Sequence, residues 1–170
     1  MHMKVLITGP CGSGKTTIIT ELTKKGYKTS AALEKEFWFE KDEVESFEHG
    51  IMNNRIKVYK ELQGKGLVFF DRGVVDPIAY RKYEGNEIPS EFDEIAKKYL
   101  YDLVFVLKPL DTHEPNPEHD HLIKTPEDAQ RWFDHILETL NEYGYAPIII
   151  DNLPVEERIE FILDQVKKST

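Results

Sequence analysis

Residues 3–17 read MKVLITGPCGSGKTT. The apolar run Val5-Leu6-Ile7-Thr8 stops at Gly9, and glycines then lead into a lysine and two threonines. The next apolar residues, Ile18, Ile19 and Leu22, recur at helical spacing, so the stretch predicts a strand, a tight loop and a helix from about Gly14 to Lys25. Gly9-Pro10-Cys11-Gly12-Ser13-Gly14-Lys15-Thr16 fits G-x-x-x-x-G-K-[ST] in the strand-to-helix context that gives this pattern its meaning. Each residue type has a physical reason. Backbone N–H groups can converge on phosphate oxygens only where Cβ atoms are few, and the glycines also permit positive φ. The helix directs the positive end of its dipole at the same anion. Lys15 supplies a mobile charge for the β and γ phosphates, and the Thr16 hydroxyl is a ligand for Mg²⁺. The residues expected to hold a nucleoside triphosphate are Gly9, Pro10, Cys11, Gly12, Ser13, Gly14, Lys15, Thr16 and Thr17. The bland alternative is a plain tight connection, in which the Lys-Thr pair has no purpose. Cys11 is either a small residue that fits or a thiol made more acidic by the helix end.

Three more apolar runs lack polar alternation: LVFFD (67–71), LVFVL (103–107) and PIIID (147–151). Such runs suit strands covered on both faces of a parallel sheet. Helical patterns separate them: a long amphipathic helix over Lys41–Gln63 with Phe47, Ile51, Ile56, Tyr59 and Leu62, one or two helices between Asp76 and Tyr99, one over about 126–143 and a last one from Pro154 to Lys168. Strands alternating with helices predict an α/β fold. Residues 108–128, rich in Pro, His and acid, read as a long lid or binding loop.

The chain has 170 residues, the usual size of one domain, so 1–170 is expected to form a single unit. Its 31 acidic residues exceed its 22 basic ones, giving a formal charge of −9, which disfavours non-specific nucleic-acid binding. No apolar run reaches bilayer length, and the single Cys11 suits a reducing compartment, so a soluble cytoplasmic protein without membrane partners is expected.

A carboxylate at the end of a neighbouring strand is needed to hold Mg²⁺, and Asp71 is so placed in LVFFDRG. Arg72 beside it suits contact with a transferring phosphoryl group. The alternative is a strand-end pair on the surface.

The segments TGPCGSGKTT, GLVFFDRGVVDPIAY, YDLVFVLKP and NEYGYAPIIIDNLPVEERIEFIL together resemble a small P-loop ATPase and kinase family of AAA type. That family includes the ribosylnicotinamide kinase domain of a bacterial NAD-biosynthesis regulator. The resemblance covers nearly the whole chain, and the FDRG-x-x-D-x-x-AY block is its most distinctive part. It implies a three-layer α/β/α nucleoside- or nucleotide-kinase-like fold with a central five-stranded parallel sheet and a lid loop. It also implies ATP and Mg²⁺ as cofactors and a small acceptor. Asp71 and Arg72 then stand at the phosphoryl-transfer centre and Asp76 faces the acceptor pocket. Lys124, in Ile123-Lys124-Thr125, takes the place of a lid arginine, with Arg131 as the other candidate. An acid usual after the Gly-Tyr turn falls here at Ala31-Ala32, leaving Glu34 and Glu36 nearby. Arg55 is either a substrate-binding arginine or a solvated helix charge. Asn152 and Pro154, after the last strand, are expected near the adenine.

The histidine-rich stretch with His113, His119 and His121 is either a mobile lid or, less simply, a metal site. Trp38, Trp132, Phe37 and Phe39 are either packing residues or a stacking platform for a ring. The leading function is a kinase moving the γ-phosphoryl group of ATP to a nucleoside-like acceptor. A regulatory ATPase switch and a polynucleotide end kinase are the alternatives.

Overall fold

The computed structural model describes residues 1–111 and 123–170. The expected lid therefore lies in large part outside the described residues, and His113, His119 and His121 with it. The first half of the chain contains β1 (Met3–Thr8), α1 (Lys15–Lys24), β2 (Lys28–Thr29), α2 (Ala31–Glu36), α3 (Phe47–Leu62) and β3 (Leu67–Asp71). The second half contains α4 (Asp76–Glu84), α5 (Ser90–Lys98), β4 (Leu103–Leu107), α6 (Pro126–Glu142), β5 (Ile148–Ile150) and α7 (Val155–Lys168).

The five strands form one parallel sheet in the order β2-β3-β1-β4-β5. The uninterrupted apolar strands are explained by the two cores they serve. Leu6, Val68, Phe70, Val104 and Val106 pack under α3, α4, α5 and α6. Their neighbours Val5, Ile7, Phe69, Phe105 and Leu107 pack under α1 and α7, against Ile18, Leu22, Ile159 and Ile162. Alternate side chains of β1, β3 and β4 thus face opposite cores, which is the three-layer α/β/α arrangement. Each such side chain contributes about 1.5–3 kcal/mol on burial. β5, by contrast, lies at the sheet edge and is covered on one face only, with Ile149 40% exposed, so the expectation of two-sided cover fails for 147–151. The register sets Ile7 beside both Asp71 and Phe105, so β1 and β3 end level at one edge of the sheet.

Local signals explain the helix boundaries. Gly85, at φ 76, ends α4, and Pro89 precedes α5, so the region between Asp76 and Tyr99 holds two helices. Thr125 and Asp128 form a reciprocal capping box at the start of α6. Trp132 packs edge-on to Tyr80 and Tyr83, at centroid distances of 5.4 and 5.3 Å, and holds α6 on α4. No helix of the described residues is long and apolar enough to cross a membrane.

The structure corrects the expected helix over Lys41–Gln63. Its first part is a single 3₁₀ turn, Lys41–Glu43, and the α-helix starts at Phe47. Ser46 is extended, with φ −152°, and its hydroxyl accepts from the His49 N–H at 3.2 Å, a cap that fixes the start there. Phe47 is half exposed rather than packed in the core, and it contacts the Trp38 ring edge-on. The fifth strand of the expected sheet is β2, which, like α2, has no periodic signature of its own, because two and six residues carry too little periodicity to be read.

Gly73 lies where a Cβ would come within 2.5 Å of the Tyr101 hydroxyl oxygen and 2.6 Å of its ring. Tyr101 is buried and cannot swing away, and its hydroxyl oxygen accepts from Val74 N at 3.2 Å. Gly73→Ala is therefore expected to lower stability by about 1–3 kcal/mol in urea unfolding, an overpacking cost. Unchanged stability would mean that this turn has room.

Candidate active site

The loop after β1 is shaped for an anion. Gly9 passes so close to β4 that a Cβ there would sit 2.9 Å from the Leu107 carbonyl oxygen. Gly14 takes φ 81° and caps α1 without any side chain, so the first N–H groups of the helix face outward uncovered by a cap. The Ser13 N–H bonds Pro10 O at 3.2 Å and Leu110 N–H bonds Gly12 O at 2.9 Å, fixing the loop from both ends.

Lys15 and Asp71 meet here as an ion pair, with 11% and 18% of their side chains exposed. Burial, with the nearby Arg72 charge, holds the Lys15 ammonium below its ordinary pKa, while Asp71 pulls it back up. The Asp71 main chain is tied on both sides. Its N–H donates to Ser30 Oγ at 2.8 Å, and its carbonyl accepts from Arg55 Nη1 at 3.2 Å. Ser30 is fully buried and its hydroxyl donates to Glu34 at 2.8 Å. Arg55 also lies 3.5 Å from that carboxylate, and Asn54 donates to the Glu34 carbonyl at 3.1 Å. Burial pushes Glu34 up to about 7, against the pull of Arg55.

Arg55 is thus part of the polar cluster rather than a solvated helix charge. Glu34, not Glu36, enters that cluster, because one turn of α2 brings position 34 over Ser30. Ser30 and Asn54 belong to the same network and carry no motif of their own. Only knowledge of the short α2 would have drawn attention to them.

Arg72 is the only non-glycine with positive φ, 63°, among the described residues. This conformation turns its guanidinium toward the phosphate loop, 3.5 Å from Gly9 O and 3.8 Å from Cys11 Sγ. Burial opposes its charge, yet Cys11, Asp76 and Asp71 together raise its pKa further. Asp76 is buried and both its oxygens are engaged, one by the Thr8 hydroxyl and the other by Gly73 N–H at 2.6 Å. It ties the end of β1 to the turn before α4.

A cavity of about 550 Å³ opens between α1 and α2, and Thr16, Glu34, Lys35, Trp38 and Asp71 line it. It lies on the β2 side of the phosphate loop, and Trp38 at its rim is half exposed. Phe39 stacks on Trp38 at 4.6 Å, whereas Trp132 is a core residue and Phe37 packs against the core. Thr17 is exposed in the first turn of α1.

Four candidates stand apart from this cluster. Arg131 donates to the Tyr83 hydroxyl at 2.8 Å and lies over its ring, on the α4–α6 contact. Lys124 is exposed just ahead of the α6 cap, which its own N–H reinforces by bonding Asp128 at 3.0 Å. Asn152 donates to Pro109 O at 2.9 Å, linking the loop after β5 to the end of β4, and Pro154 precedes α7.

Comparison with known proteins supports the same picture of the fold. Deoxyadenosine kinase from M. mycoides, solved with bound dATP, is 22% identical with a TM-score of 0.62, covering 98% of this chain and 100% of that one. Shikimate kinase from Acinetobacter baumannii, in complex with shikimate, is 16% identical with a TM-score of 0.60, covering 100% and 96%. The NadR protein in complex with NR is 19% identical with a TM-score of 0.64, and there this chain spans 99% of its own length but 51% of the other. No curated protein matches the sequence. The family model described as AAA domain matches residues 4–158, nearly the whole chain. A phosphate loop, a parallel sheet and a carboxylate at the end of the neighbouring strand are thus found in a chain that belongs to the AAA domain family.

Proposed function

We propose that this chain is an ATP- and Mg²⁺-dependent phosphotransferase acting on a small acceptor, most simply of nucleoside or nucleotide type. The observation that carries the reading is the meeting of Lys15, Thr16 and Asp71 at one edge of the sheet, with Thr16 and Asp71 in the wall of the same cavity as Glu34. Two of the solved structures named above are a deoxyadenosine kinase and a shikimate kinase, which favours the same class.

The donor set fits a hard divalent cation, since the Thr16 hydroxyl and the Asp71 carboxylate are oxygen ligands. When bound, Mg²⁺ would neutralise charge on the β and γ phosphates. Lys15 and the loop amides hold the triphosphate, and Arg72 turns its fork to the transferring group. Glu34, near neutrality in pKa, accepts or orients the proton of the acceptor hydroxyl. Arg55 holds Glu34 and Asp71 in place. Asp76, with both oxygens engaged, positions the turn that carries Arg72 instead of touching acceptor. Lys124 supplies a further positive charge ahead of α6, and Asn152 and Pro154 border the base.

The test is ATP turnover measured alone and then with nucleosides, nucleotides, shikimate-like alcohols and DNA or RNA ends. Stimulation by a small acceptor is expected, and turnover that no acceptor stimulates would sink the kinase reading in favour of an ATPase. In the same assay Lys15→Ala should lower turnover by about 10²–10³-fold, the size typical of losing one charge-stabilising donor.

Glu34 also makes a stability prediction for the nucleotide-free protein with metal chelated. Its folded pKa of about 7 exceeds the ordinary 4.5, so the folded state binds more protons between those values and stability falls as pH rises through them. The groups facing it are Arg55, Asp71 and Lys15. Glu34→Gln should flatten that fall, which for this group amounts to at most about 3 kcal/mol. Equal slopes in wild type and variant, from chemical unfolding at pH 5 and pH 8, would show that Glu34 is not held near neutrality.

A further inference from the structure

Behind the phosphate loop lies a cation that the reading above does not use. Arg158, in the first turn of α7, is only 5% exposed although arginine is among the residues least often buried. Its Nη1 donates to Ser13 O at 3.1 Å. A Cβ on Gly14 would lie 2.9 Å from that Nη1 and 3.2 Å from Nη2, so the guanidinium fills the space that the glycine leaves bare. Its Nε is buried without a hydrogen-bond partner. Among the described residues no carboxylate pairs with it, and burial, with nothing opposing it, lowers its pKa.

This arrangement is costly for a structural arginine. A buried, permanent charge normally pairs with a carboxylate, and a single bond to one carbonyl repays little of its desolvation. Glu156, two residues away on α7, is paired with Lys25 instead. Hydrogen bonding to Ser13 O has a direction, however. It draws that peptide carbonyl toward α7, so the N–H of the same peptide unit, on Gly14, points the opposite way, toward the anion side of the loop.

We propose that Arg158 is a positioning residue for the triphosphate: a buried cation whose missing counter-charge is supplied by the bound phosphates and which also orients the Ser13–Gly14 peptide toward them. The proposal rests on the phosphate loop holding a nucleotide, and it does not require that an acceptor be phosphorylated.

The charge makes a prediction that packing alone does not. Affinity lost on removing it grows with the number of phosphates. Binding of ATP, ADP, AMP and adenosine is measured at fixed ionic strength for wild type, Arg158→Gln and Arg158→Lys, together with the melting temperature of each. Arg158→Gln is expected to weaken ATP about tenfold or more, ADP less, and adenosine by under twofold. Arg158→Lys should recover the ATP-to-adenosine preference to within about threefold of wild type, even if its melting temperature is lower. Should the glutamine variant not fold, the lysine variant decides alone, because a charge-based role requires it to keep that preference. The proposal is overturned if Arg158→Gln binds ATP as wild type does, if it weakens all four ligands by the same factor, or if Arg158→Lys loses the preference. Wild type that binds no ATP would remove the phosphate-cradle reading itself. Wild type that binds ATP in this graded way but phosphorylates no acceptor would remove only the kinase reading.

Discussion

The buried ammonium of Lys15 is the constraint around which the site is arranged. An isolated charge of this size costs several kcal/mol to remove from water, and two further cations, Arg72 and Arg55, add to the cost by repulsion. Asp71 offsets it, and for that the ends of β1 and β3 must be level, as the pairing of Ile7 with Asp71 makes them. The carboxylate is then kept in place by its own main chain, clamped between Ser30 and Arg55. Residues from α1, α2, α3 and β3 are thereby committed to one ion pair, and a shift of any one of them would leave a charge buried without its partner.

The same cluster explains how an acidic protein can recruit an anion. The chain carries a formal charge of −9, so its surface repels polyanions, but Lys15, Arg55 and Arg72 converge at the sheet edge. Burial raises the Glu34 pKa to about 7, so its carboxylate offsets these cations less than an ordinary glutamate would. Under the kinase reading the Lys15–Asp71 pair is a resting arrangement. Phosphate takes over Lys15, and Asp71 becomes available to a metal, so the exchange replaces one satisfied charge pair by two. A ligand that brought only one of these charges would leave the other partner unpaired, so on that reading the site would prefer metal and polyphosphate together.

The parts of this fold that were legible in the sequence are those with a strong local signature. The phosphate loop, the four longer apolar strands and the two-sided burial of β1, β3 and β4 follow from glycine spacing and from apolar runs without alternation, while the same texture misleads at β5, an edge strand whose Ile149 is exposed. Asp71 followed from its place at the end of one such run. The rest depended on elements too short to show a period. Ser30 and Glu34 are joined by one turn of α2, and without that helix an acid after the Gly-Tyr turn reads as misplaced. Long helices hide their starts for a related reason. The residues of 41–46 are polar enough to continue a helix, and only the cap by Ser46 stops it. Arg158 was invisible because nothing in a charged, amphipathic C-terminal segment distinguishes the one arginine that turns inward.

Backbone strain at Arg72 follows from these demands. Asp71 must stay in the strand to face Lys15, and Asp76 must begin α4 to bond Thr8 and Gly73. Four residues remain to leave the sheet and enter the helix, and the Arg72 N–H still bonds Ile7 O at 2.9 Å, as though the strand continued. A left-handed residue at that point reverses the chain at once and swings its side chain across to Gly9 and Cys11. Such a conformation costs about 1–2 kcal/mol in a residue with a Cβ, and a glycine there would avoid it. A glycine does follow, at 73, where a Cβ would collide with Tyr101. The arginine is therefore retained at the strained position and the glycine at the crowded one, an order that serves the guanidinium rather than the turn.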